Sequence, residues 1–324
     1  MLLMATSLLA QSNPPNHMVT QQDLDRWLAQ DSNWGRWGKD DQRGTLNLIT
    51  PAKIKQATAL VKDGVAVSLA LTMDTEKAVD NPTPFEDVMT RDGSTGNAVS
   101  DRISSPYHSG VTTHMNAVGH RLTKGAMYNG FPAKDYVTMS QGMSKDSIIN
   151  IKDGVFTRGI FFDIPQLKGV PYLEPGTPIY AEDLEAWEKR AGVKVGPGDA
   201  IFIDTGRWKR REKLGPWAVT KQVAGLDASV IPWLKRRGVA VIGSDALVAV
   251  RPAPPTTQLN NPDENFPAED FSLYGLGITL IENCDFRALA EAATARKRWQ
   301  FLFMATPLPI PHGTGSPVNP IAMF

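Results

Sequence analysis

Four short apolar runs alternate with helix-forming segments through the second half of this 324-residue chain, and that alternation restricts the fold more than any other feature. The runs are Gly159–Ile164, Ala200–Gly206, Val239–Gly243 and Phe301–Met304. Each is too short for a helix and too continuously apolar for a strand with one wet face, which is how strands buried on both sides read. Between them lie a helix over Ala181–Arg190, burying Leu184 and Trp187 and ending at Gly192, and another over Ser229–Arg237. A third, Phe286–Arg298, precedes the last strand. Strand and helix in turn predict an α/β fold with a mixed central sheet.

The first half carries fewer regular signals. Thr50-Pro51 is a helix start, N-cap then first turn, with Ile54, Ala57 and Val61 on the inner face and Gly64 at the end. Val65–Leu71 alternates as a strand does. Asp74–Asp101, rich in Pro, Asn, Asp and Gly, reads as a long functional loop or lid. Asn33–Gly44 holds Trp34 and Trp37 among glycines and aspartates, a loop that buries its indoles over a pocket or against another subunit. No repeat or linker divides the chain, so residues 33–324 are expected to form one domain behind an N-terminal arm, 1–32. Met1–Ala10 is apolar and ends like a signal-peptide cleavage region, yet lacks the basic start such a peptide has. The arm is thus either a signal remnant or an apolar terminus, leaving cytoplasm and periplasm both open.

Charge excludes several partners. Thirty-four basic residues balance 34 acidic ones, which is no electrostatic footprint for nucleic acid or an anionic membrane. No apolar run is long enough to span a bilayer. The single cysteine, Cys284, excludes an internal disulfide and a cysteine-held zinc. A small-molecule substrate is the expected partner.

Chemistry concentrates in Tyr107–His120, which holds three of the five histidines, His108, His114 and His120. Imidazole is the usual acid or base near neutral pH and the commonest metal ligand. In an extended chain His114 and Asn116 share a face, and Gly119 permits the bend that returns His120. His312 lies in a second loop-like stretch. Asp163, Asp204 and Asp245 close strands and are read as structural, while Thr113 and Ser316 lack a legible partner base for nucleophilic catalysis.

This pattern resembles the cyclase family of metal-dependent hydrolases, to which kynurenine formamidase and isatin hydrolase belong. The family motif is His-x-Gly-Thr-His-x-Asp-x-Pro-x-His, and Thr113–His120 matches its second half in spacing. The resemblance extends through Asn33–Ile49, Leu173–Gly176, Pro197–Asp199, Gly243–Asp245 and Gly313–Pro317. It implies a swivelling β/β/α fold, homodimers or homotetramers, and hydrolysis of an amide, imide or lactone by water on a divalent metal, zinc or manganese. It also implies the roles. His108, His114, Asn116, Glu269 and Glu282 would hold the metal, with His120 and Glu282 catalytic and Trp34, Trp37 and His312 lining the substrate. Asn116 stands where the family has aspartate, and Glu269 where it has histidine, so the pair leaves the expected first-shell charge unchanged. The alternative is a binding or scaffold protein that keeps the fold and has lost the metal.

Overall fold

The computed structural model describes residues 16–94, 96–260 and 266–324; Met1–Ala10 lies outside them. Its centre is a nine-stranded mixed sheet. In chain order the strands are β1 (Ala66–Ser68), β2 (His114–Asn116), β3 (Val155–Asp163), β4 (Ala200–Asp204) and β5 (Val241–Ser244). There follow β6 (Thr279–Glu282), β7 (Gln300–Ala305), β8 (Gly315–Pro317) and β9 (Ile321–Met323). Across the sheet they run β8-β2-β6-β5-β4-β3-β7-β9-β1. β3 to β6 are mutually parallel, and the strands on either side of them are antiparallel. The four predicted runs are β3, β4, β5 and β7.

Alternation within those runs divides the core between the two faces of the sheet. Ile160, Phe162, Ile201 and Ile203 pack with Trp187, Trp233 and Phe271. Phe161 and Phe202 point the other way, into Phe286, Phe301 and Phe303. Burying each phenylalanine contributes about 1.5–3 kcal/mol. Gly243 is needed for the close approach, since a Cβ there would lie 2.4 Å from the Phe202 ring.

The longer helices are α1 (Gln21–Gln30), α2 (Pro51–Thr58), α3 (Ala181–Ala191), α4 (Arg207–Leu214), α5 (Ile231–Arg237), α6 (Pro267–Tyr274) and α7 (Arg287–Arg296). Their caps follow the sequence: Thr50 Oγ1 accepts from Lys53 N at 3.2 Å, and Gly192 ends α3 in the left-handed region. α2 stops at Thr58, short of Gly64. Among the described residues no helix is long and apolar enough to cross a membrane.

Three expectations gain detail. Asp74–Asp101 is not all loop: Glu86–Arg91 and Ser100–Ser104 form an antiparallel hairpin, exposed along its whole length. The arm is not loose from residue 16 on. Val19–Thr20 pairs with Thr257–Gln258, and Leu24 of α1 is buried in the first core. The Asn33–Gly44 loop folds onto α6: Asn33 N donates to Gly275 O at 2.9 Å, and Trp34 Nε1 to Tyr274 O at 2.5 Å.

Candidate active site

β2 and β6 build the site. In their antiparallel register His114 lies directly opposite Glu282, so the two side chains leave the same face as neighbours. Asn116, two residues on, shares that face, while Met115 between them faces the second core. His114 Nε2 lies 3.4 Å from Glu282 Oε2, Asn116 Nδ2 donates to the same oxygen at 3.0 Å, and Val248 N reaches Glu282 Oε1 at 3.3 Å. The other ring nitrogen of His114, Nδ1, faces Thr112 O at 2.9 Å. Both ring nitrogens therefore face oxygen acceptors, which fixes the orientation of the ring.

The loop before β2 is bolted down by buried side chains. Asn283 Nδ2 donates to Ser109 O at 2.8 Å and Thr112 O at 3.2 Å, and Arg207 donates to Gly110 O. That holds His108 at the cavity mouth, its Nε2 2.9 Å from Thr314 Oγ1. After β2, Gly119 presses against Asp146, where a Cβ would come within 2.7 Å of that side chain, and His120 is turned back over His108. The two rings stack with centroids 4.0 Å apart and planes 6° from parallel. His108, His114, His120 and Glu282 line one cavity of about 350 Å³, with Asp80, Arg121, Val219, Leu247 and Arg251.

The electrostatics are sharply set. Burial, reinforced by the charge on His108, pulls the His120 pKa down to about 3. Burial and the charge on His114 pull His108 down to about 4, although one edge of its ring is exposed. Burial pushes Glu282 upward, but His114, the Asn116 hydrogen bond and Arg251 outweigh it and hold the carboxyl at about 2. At neutral pH the site thus holds two neutral imidazoles beside a fixed carboxylate.

The other expected residues lie elsewhere. Glu269, foreseen as a metal ligand, is buried between two guanidiniums: Arg121 Nη2 donates to Oε1, and Arg251 Nη2 to Oε2 at 3.0 Å. Both of its oxygens are taken, because one buried and one half-buried cation share it. Trp34 and Trp37 do not line the cavity; the first is anchored on Tyr274 O and the second lies under Arg36, 4.7 Å from ring centre to guanidinium. His312 is exposed outside the cavity, its backbone carbonyl accepting from Met143 N at 3.0 Å. Arg121, Arg251, Arg207 and Asn283 went unrecognised in the sequence, since no motif joins residues that meet only across the sheet.

The donor set does not fit the implied divalent ion. Stacked as they are, His108 and His120 cannot both aim a ring nitrogen at one ion, and Glu269, the second implied carboxylate, is spent on two arginines. Two carboxylates at 116 and 282 would need a cation between them; here the Asn116 amide N–H fills that place by donating to Glu282. Asn116 Oδ1, buried without a partner, is one neutral oxygen left over. Among the described residues no three of His, Cys, Asp and Glu are grouped to hold a metal.

Comparison with known proteins agrees with this architecture. The sequence model of a family described as putative cyclase matches residues 40–249. A crystal structure described as a novel cyclase is 29% identical, with TM-score 0.81, covering 90% of this chain and 99% of its own. Isatin hydrolase A from Labrenzia aggregata, bound to benzyl benzoate, shares the fold at 19% identity, with TM-score 0.57, covering 82% of this chain and 94% of its own. An isatin hydrolase bound to the product analogue thioisatinate does so at 18% identity and TM-score 0.55, over 83% and 94%. No curated protein matches.

Proposed function

The chain belongs to the cyclase family, and from that premise we propose that it hydrolyses an amide, imide or lactone bond in a small cyclic or aromatic molecule. The observation that carries the reading is the convergence of His108, His114, His120 and Glu282 in one cavity sized for such a molecule. The activity implied by the resemblance uses metal-bound water, and the donor chemistry here favours side chains for that work instead.

In this reading His120 accepts a proton from water as the water oxygen attacks the carbonyl carbon, a role that needs the developing negative charge to raise its pKa from about 3 toward neutral. The same proton then passes to the leaving nitrogen or oxygen as its bond to carbon breaks. The His114–Glu282 pair fixes the cavity floor and keeps its charge from migrating. The guanidinium of Arg121, next in sequence to His120, supplies N–H donors for the developing oxyanion. A second reading, a binding protein that has lost turnover, draws on the same substitutions at 116 and 269.

Assay of the purified chain against cyclic imides, lactones and aryl formamides, with and without a chelator, tests this. Turnover should survive chelation and fall about 100-fold or more in His120→Ala. Activity lost to chelator and restored by manganese or zinc would return the metal to the mechanism. Tight ligand binding with no turnover across the panel would establish the binding protein.

A further inference from the structure

One wall of the cavity holds more positive donors than the protein uses. Arg121 and Arg251 both line it. A guanidinium offers five N–H donors, and here two of them share one carboxylate, Glu269. Arg251 is 5% exposed, and its Nε has no hydrogen-bond partner. Its Nη1 reaches Thr220 O only at 3.5 Å. The Phe266 ring lies 3.3 Å beneath its carbon centre, so the plane of the fork is fixed. Arg121 Nε is likewise without a hydrogen bond, with Asp270 Oδ1 3.3 Å away. Glu282, which also lines the cavity, is spent on Asn116, His114 and Val248 N.

We propose that Arg121 and Arg251 form a carboxylate-binding subsite, so that the substrates of the hydrolysis proposed above are organic anions. Glu269 orients the two forks without satisfying them, and Phe266 stiffens the inner one. A planar carboxylate is the group that two such forks recognise, by paired N–H···O bonds. The inference rests on the hydrolase reading for the word substrate, but the subsite itself can be tested without turnover.

Calorimetric titration of the full chain near neutral pH with benzoate and with benzamide, the same shape without the charge, is the experiment. Benzoate should bind roughly tenfold or more tightly than benzamide. Arg121→Gln, at a partly exposed position, and the double variant Arg251→Gln/Glu269→Gln, which removes a cation and its anion together, should each erase that preference. Near-ultraviolet circular dichroism checks that both fold; if the double variant does not, Arg121→Gln decides alone. Equal binding of benzamide, intact benzoate preference in the folded variants, or no benzoate binding to the parent would overturn the subsite. Charge-selective binding without hydrolysis of any ester, amide or imide would keep the subsite and remove the hydrolase reading.

Discussion

Asn116 decides what the cavity floor can hold. Its amide N–H to Glu282 joins two buried groups that would repel if both were carboxylates, and the fit depends on one proton-bearing nitrogen. Asn116→Asp should therefore destabilise the protein in chelator by about 1–3 kcal/mol, the cost of a buried pair left unsatisfied. Added zinc or manganese should recover that loss, because a cation can bridge two carboxylates. Thermal denaturation of parent and variant, each with chelator and with metal, measures both effects. A variant as stable as the parent in chelator would show that the amide bridge does not hold Glu282. At this scale the sequence was legible where spacing carries chemistry: His114, His120 and Glu282 meet as their motif implies. It was opaque at Glu269, whose role depends on Arg121 and Arg251, residues far from it along the chain and near it only when folded.

At the scale of elements, placement of the histidines follows from strand register. A slip of one residue between β2 and β6 would send His114 and Asn116 into the second core and bring Met115 to the cavity. Thr113 guards against that slip, donating to Asn283 O at 2.7 Å while accepting from Leu71 N at 2.8 Å. The continuous apolar strands were readable because burial on both faces leaves its mark on every residue. The hairpin of Glu86–Arg91 and Ser100–Ser104 was not, since every residue of its two strands is exposed and the composition around them is that of a loop. The tryptophan loop could be read as packed on the core, over a pocket or at an interface for a related reason: an indole needs a surface and an acceptor, and α6 with Tyr274 O provides both without a ligand. Trp34→Leu should then cost about 1–3 kcal/mol in urea unfolding, as a half-buried ring and its hydrogen bond are lost. The KM of any substrate should stay where it was. A KM raised severalfold at unchanged stability would put the loop back over the pocket.

For the whole molecule, the most telling lever is pH, because one buried acid lies behind the turn that carries His120 with no hydrogen bond to stabilise its charge. Asp146 is fully buried, neither carboxyl oxygen has a hydrogen-bond partner, and its backbone oxygen accepts from Gly119 N at 3.2 Å. Burial, and then the charge on Asp41, push its pKa from 3.8 up to about 8. Below the lower value the acid is protonated folded or unfolded and contributes nothing to the pH dependence. Between the two values the unfolded chain gives up the proton and the native protein keeps it, so stability falls as pH rises and levels off above the upper value. His108 and His120, held low, act with the opposite sign: from their unfolded value of 6.5 down to about 4 and 3, acid favours the unfolded chain. Both histidines, and Asp270, are common to parent and variant and cancel when the two are compared. Asp146→Asn carries a constant cost for its buried amide but no titration. Relative to the parent it should therefore gain stability steadily from pH 4 to pH 8, by a total on the order of a few kcal/mol. Urea midpoints of both proteins, taken across that range, give the answer. Parallel curves would mean that Asp146 ionises as freely in the native protein as in the unfolded chain, and that water reaches the turn beneath His120.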